Sequence, residues 1–192
     1  MPRRGATDEA AFAAALAQAR AGDEAAFARL YRTLNPRLVA YLRGLVGNDA
    51  DDVASETWHD VVRGLDGFRG DGPAFRAWTA TIARNRGLDH LRRGYVRPRT
   101  TELGEAVAEL RAEKDSEGLA LESLATAHAL SLIAALPRDQ AEAVLLRVVL
   151  GLDAPMAAQV LGKQPGAVRT AAHRGLKRLA ERMRHAGGTE EK

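Results

Sequence analysis

The sequence predicts an all-α fold: two small helical domains joined by a flexible linker, the second a helix-turn-helix. Apolar residues recur every three or four positions, and few stretches alternate with the period of two that a strand requires. Alanine, leucine and arginine dominate, and aromatics are only 5% of the 192 residues, the signature of a helical chain of modest core size. An acidic stretch broken by Gly94, Pro98 and Gly118 divides two halves that do not resemble each other.

Residues 1–22 form a lead-in, with 1–10 expected to be disordered and a helical pattern beginning at Phe12. Asp23 is an N-cap, after which Phe27, Leu30, Tyr31, Leu34, Leu38, Tyr41, Leu42 and Leu45 make one apolar stripe. Pro36 is expected to kink or restart that helix, since it removes a backbone donor. Gly47-Asn48-Asp49 ends it. The next helix runs from about Ala50 to Leu65, with Val53, Thr57, Val61 and Leu65 on one face and Asp51, Asp52, Glu56 and Asp60 largely off it. Gly64, Gly67, Gly70, Gly72 and Pro73 mark a turn-rich loop before a helix carrying Phe75, Trp78, Ile82, Leu88 and Leu91, whose spacing reads as core. The first domain spans 23–97 and the acidic linker 98–122.

The second domain, 123–185, opens with a helix whose face is Leu124, His128, Leu132 and Leu136. Pro137 starts another, and Gly151 ends it. Asp153 caps a short helix with Pro155 near its first position, and Gly162 closes that helix. A long basic helix follows Gln164-Pro165-Gly166, and 186–192 is a tail. Short helix, tight turn and longer basic helix form the order of a helix-turn-helix. Val168, Ala172, Leu176 and Leu179 are its expected apolar side. Arg169, Thr170, His173, Arg174, Lys177 and Arg178 occupy the rest, with Lys163 and Gln164 at its start. Arginine can pair with guanine edges, while lysine and helix-start amides suit phosphate.

The formal net charge is only +3 although the pI is about 9.6, so basicity is local. The chain has no cysteine, which excludes disulfides and thiolate metal sites. No metal, cofactor or small-molecule substrate is expected: the five histidines show no paired spacing, and no phosphate-loop or nucleophile-elbow motif is present. No apolar run reaches the length of a membrane span, and Met1-Pro2-Arg3-Arg4 lacks a secretory core. A soluble cytoplasmic protein without direct membrane insertion is the expectation.

Three segments carry a family resemblance. Residues 49–65, DADDVASETWHDVVRGL, resemble the polymerase-binding helix of bacterial sigma factors, and 73–93, PAFRAWTATIARNRGLDHLRR, resemble their promoter-melting and minus-ten recognition segment. Residues 136–180 resemble the helix-turn-helix that reads the minus-thirty-five element. The layout, with one short linker and no further domain between, is similar to the extracytoplasmic-function group.

The resemblance implies that Asp51, Asp52 and Glu56 dock on core RNA polymerase. It places Phe68, Arg69, Gly70, Asp71, Asn85, Asp89, Arg92 and Arg93 at minus-ten promoter DNA. Phe68 to Ala74 match a loop that captures a flipped base. Arg84, Arg86, Arg97 and Arg99 are further candidates for phosphate contact, and Trp58 stands at either interface or core. Lys163, Gln164, Arg169, Thr170, His173, Arg174, Lys177 and Arg178 fall at the minus-thirty-five element. An anti-sigma factor is an implied partner. Residues 153–158 lack the family's usual glutamate, and Arg169-Thr170-Ala171-Ala172 has alanine where arginine is common, which implies an unusual promoter sequence. The alternatives are a stand-alone helix-turn-helix regulator that needs no polymerase, and an interaction protein that only sequesters it.

Overall fold

Burial of one leucine row organises the first domain. In the computed structural model of the protein, which describes residues 4–96 and 117–187, helix α2 (Glu24–Val46) places Leu30, Leu34, Leu38 and Leu42 at four-residue spacing, each at most 2% exposed. Asp23 caps it by accepting the Ala26 amide at 2.9 Å. The helix continues through Pro36, contrary to the expected restart. Pro36 is exposed, so the carbonyl that loses its helical donor there can turn to water, while the leucine row holds both halves to one core.

Helix α1 (Arg4–Arg20) corrects the expectation of a disordered start. It packs on α2 and on α4 (Gly72–Val96), burying Phe12, Ala15, Leu16 and Ala19. Half of that face is alanine, so its stripe has little contrast in the sequence. The Arg76 guanidinium lies 4.2 Å over the Phe12 ring and pairs with Glu9 at 2.8 Å, fastening α4 to α1.

A 3-10 turn at Gly47–Asp49 leads into α3 (Ala50–Gly64), which buries Val53, Thr57 and Val61, followed by Leu65, as the spacing predicts. Helix α4 buries Phe75, Ala77, Ala80 and Ala83, with Trp78, Ile82 and Leu91 packed at the edge of the core.

The second domain begins with α5 (Glu117–Ala134), which starts inside the stretch expected as linker. Residues 97–116 lie outside the described residues, as does the end of the chain after 187. The buried face of α5 is Leu130 and Ile133, continued by Leu136, while His128 is exposed. Of the expected face, Leu136 keeps its buried place and Leu132 is half-buried, so the departure lies at His128. Helix α6 (Arg138–Val144) runs into a π turn at Leu145–Val149, closed by the Leu150 amide donating to the Leu145 carbonyl. Asp153 accepts the Met156 amide at 2.8 Å to cap α7 (Ala154–Leu161). Gly162 follows at φ +62, a left-handed position that favours glycine, and α8 (Pro165–Gly187) completes the chain. No strand occurs among the described residues.

The two domains lie against each other. Helix α4 packs on α7, and α2 packs on α5 and on the π turn. Tyr41 of α2 is fully buried near this boundary. That burial, with the Glu142 carboxylate nearby, raises its phenol well above the ordinary tyrosine range.

Candidate nucleic-acid interface

The long basic helix of the second domain is α8. Val168 and Ala172 anchor it, and Gly175 lets it approach α6 so closely that a Cβ there would sit 2.8 Å from Val144 Cγ2. Arg169, Thr170, His173, Arg174, Lys177 and Arg178 are all exposed, with Lys163 and Gln164 exposed at the entering turn. The Thr170 hydroxyl donates to the Gly166 carbonyl at 3.0 Å, and Arg178 donates to Gln140 Oε1 at 3.1 Å, so both are partly engaged. Leu176 is 46% exposed, a correction to its expected place on the apolar side. Its step of four from Ala172 is interrupted because Gly175 occupies the contact with α6.

In the first domain the loop before α4 is held from beneath. Phe68 is buried, its ring 5.4 Å from Phe75 in an edge-on contact and 5.0 Å from Trp78. It therefore supports the loop from inside, whereas Arg69, Gly70 and Asp71 are exposed. A Cβ on Gly70 would meet the Phe68 ring and Ala74 Cβ at 2.9 Å, so the tip closes tightly over the aromatic cluster. Arg69 curls back onto the Asp66 and Phe68 carbonyls, and Asp71 accepts the Ala74 amide at 2.9 Å to cap α4.

Along α4, Asn85 and Asp89 are exposed. Arg92 pairs with Asp89 at 2.9 Å and Arg93 with Glu56 at 3.8 Å, both solvent-facing pairs of little strength that a phosphate could replace. Arg86 is committed elsewhere, to Asp60 at 2.5 Å and Glu56 at 3.6 Å. Arg63 pairs with Asp60 as well. Burial alone would raise the Asp60 carboxyl, but hydrogen bonds from Arg63 and Arg86 outweigh it and hold the group below the usual aspartate value. Arg84 pairs with Glu142 of the second domain. Arg97 and Arg99 lie outside the described residues.

Asp51, Asp52 and Glu56 share the exposed side of α3. Asp51 meets Arg43 at 3.1 Å, while Asp52 faces solvent. Beside them lies a groove of about 400 Å³ between α2 and α3 that the sequence reading missed. Phe27, Tyr31, Asn35 and Val39 form one wall, with Trp58 and Val62 opposite. Trp58 is 6% exposed and donates to Asn35 Oδ1 at 2.9 Å, flanked by the Phe27 and Tyr31 rings. Tyr31 and Val62 remain exposed. The signal was available: 27, 31, 35 and 39 form a second row beside 30, 34, 38 and 42, yet the two rows read as one stripe.

Among the described residues no cluster of histidine and carboxylate groups could hold a metal, and no helix is long and apolar enough to cross a membrane.

Comparison with known proteins shows which family the chain resembles. The family described as Sigma-70 region 2 matches residues 30–95, and Sigma-70 region 4 matches residues 129–179. The extracytoplasmic-function (ECF) RNA polymerase sigma factor BldN of Streptomyces coelicolor is 35% identical over 176 residues, covering 91% of this chain and 66% of that protein. The ECF RNA polymerase sigma factor SigD of Mycobacterium tuberculosis is 34% identical over 180 residues, covering 91% and 84%. Among solved structures, CnrH in complex with the cytosolic domain of CnrY superposes with a TM-score of 0.62 at 25% identity, covering 91% of this chain and 98% of that one. The sigma factor RpoE of Bartonella quintana, in complex with the anti-sigma factor NepR, has the same fold, with a TM-score of 0.58 at 20% identity over 82% of this chain and 96% of that one.

Proposed function

The chain belongs to the extracytoplasmic-function group of sigma-70 factors, and on that premise we propose that it binds core RNA polymerase in the cytoplasm and directs it to promoters of a particular sequence. It acts by recruitment rather than by covalent chemistry. The observation that carries this reading is the pairing, in one chain, of two surfaces of opposite kind: the acidic side of α3 beside the Trp58 groove, and the solvent-facing basic side of α8.

Asp51, Asp52 and Glu56, with the groove beside them, suit a basic partner surface carrying an apolar side chain, as docking on polymerase requires. Arg69, Gly70, Asp71, Asn85, Asp89, Arg92 and Arg93 form the minus-ten surface, with Phe68 fixing the loop from below. Opening DNA there needs contacts that offset unstacking of a base, on the order of a few kcal/mol. Lys163 and Gln164 meet phosphate, and Arg169, Thr170, His173 and Arg174 reach base edges in the major groove, flanked by Lys177 and Arg178. An anti-sigma factor that covers the α3 surface would keep the chain from polymerase.

Run-off transcription by purified core polymerase on pooled genomic fragments, with and without the protein, tests the proposal. Discrete new start sites are expected, and their shared upstream sequence is the promoter. Core binding without transcripts would favour a sequestering protein. Binding to duplex DNA without core binding would favour a stand-alone regulator.

A further inference from the structure

Helix α1 lies before the matched range 30–95, and it grips the start of α4. Glu9 and Phe12, one turn apart on α1, share a face and meet Gly72 and Arg76, one turn apart on α4. The Glu9 carboxylate serves both. Its Oε2 pairs with Arg76 at 2.8 Å, and the same guanidinium lies 4.2 Å over the Phe12 ring. Its Oε1 is buried, with no hydrogen-bond partner among the described residues. That oxygen occupies the space a side chain at 72 would fill: a Cβ on Gly72 would collide with it and would stand 3.1 Å from Phe12 Cδ1. A carboxylate oxygen enclosed without a donor is uncommon. Here it faces the first residue of a 25-residue helix, where the partial positive charge of the unpaired amides offsets part of the cost.

Gly72 is also where the exposed loop 69–71 ends. The loop leaves from a turn closed by the Phe68 amide donating to the Leu65 carbonyl. It joins α4 through Asp71, whose carbonyl and carboxylate accept the Phe75 and Ala74 amides. Phe12 touches Phe75, and Phe75 touches Phe68. The departure of the loop is therefore fixed by the aromatic cluster and its return by α1. In the sigma-factor reading this loop takes up a base extracted from the duplex against the cost of unstacking. The less the loop must be ordered at that moment, the more of its contact energy goes to holding the base.

We propose that Glu9 is a positioning residue for promoter opening: clamped between Arg76 and Gly72, it sets the first turn of α4 and with it the loop 69–71 that receives the flipped base. The effect on opening rests on the sigma-factor reading; the effect on the loop does not.

Two measurements separate these effects. In the free full-length protein, trypsin cleavage after Arg69, exposed in the loop, should be about tenfold faster in Glu9→Ala than in the wild type. Glu9→Gln keeps the shape and an oxygen for Arg76 but loses the charge. It should lie between the two, and it is the test if the alanine variant fails to fold. In the holoenzyme, on the promoter found by run-off transcription, 2-aminopurine placed through the minus-ten element reports extraction of a base. Glu9→Ala should slow that signal by about tenfold at unchanged core affinity. A mismatch that already unpairs the captured base should restore most of the rate, since extraction is easiest for a mispaired base. A helix that merely completes the core gives no such rescue. Wild-type cleavage in both variants would overturn the proposal. So would slowed opening that the mismatch does not relieve or that accompanies weakened core binding, since either marks a general loss of fold. Faster cleavage with an unchanged opening rate would remove the role in opening. If the wild-type holoenzyme opens no promoter, the sigma-factor reading falls and the role in opening falls with it, while the cleavage rates still judge the loop.

Discussion

Replacing Phe75 by alanine should come close to unfolding the first domain. Its ring is fully buried and touches three others: Phe12 at 6.2 Å, Phe68 at 5.4 Å and Trp78 at 5.8 Å between centroids. Truncating a buried phenylalanine costs about 3–5 kcal/mol in lost transfer energy and residual cavity. Ring pairs contribute about 0.5–1.5 kcal/mol beyond area, which places this residue at the upper end of that range. A small domain has only about 5–15 kcal/mol in all. Phe75→Leu, which keeps most of the volume, should cost less than half as much. Both tryptophans, Trp58 and Trp78, lie in the first domain, so their fluorescence in urea follows that domain. The reasoning predicts a midpoint shift in the order alanine, leucine, wild type, with Trp78 emission altered in the alanine variant even before unfolding. A loss under about 1 kcal/mol for Phe75→Ala would refute the claim that these four rings form a close-packed unit. The functional corollary is that the loop at 69–71, which rests on Phe68, should lose its ordered tip together with Phe75.

Other expectations are smaller in scale. Arg174→Ala should weaken binding to the upstream promoter element by about 1–3 kcal/mol if it meets a base edge, read by titration of labelled duplex; unchanged affinity would take Arg174 out of the interface. Asp52→Lys should weaken core polymerase binding while leaving thermal stability near wild type, because Asp52 faces solvent; full core affinity would count against the α3 surface. Asp153→Ala removes the cap on α7 and should cost about 0.5–2 kcal/mol, measured by denaturation. The folded-state value of Asp60 is depressed below 3.8, so its contribution to stability is present above that pH and is lost as pH falls through the lower folded value. Asp60→Asn should therefore flatten the acid limb of the stability curve below about pH 4, and an unaltered limb would show that the Arg63 and Arg86 bonds do not hold in solution.

Much of this architecture was legible in local chemistry. Asp23, Asp153 and Gly162 announce helix ends because a side-chain acceptor or a left-handed turn is needed at that one residue, whatever surrounds it. The α3 face and the exposed basic side of α8 follow from helical periodicity in the same way. Low contrast hid other features. The alanines of α1 carry no stripe that stands out, and on α2 two apolar rows merge, so the Trp58 groove could not be separated from the core. At α5, periodicity alone did not say which side the neighbours would cover, and Leu130 rather than His128 faces inward because α2, α6 and α8 supply the opposing surface.

The sequence by itself determined the helical class, the order of the elements, the family and the basic residues that α8 presents to solvent, since each depends on spacing within one segment. Only the tertiary structure decided that Phe68 points inward, that Arg86 belongs to Asp60 and that Arg84 belongs to Glu142. Those partners are 26 and 58 positions apart in the chain, and Phe68 owes its burial to Trp78 across a turn. A side chain's charge and size are written in the sequence, but which neighbour neutralises or covers it depends on where the helices cross.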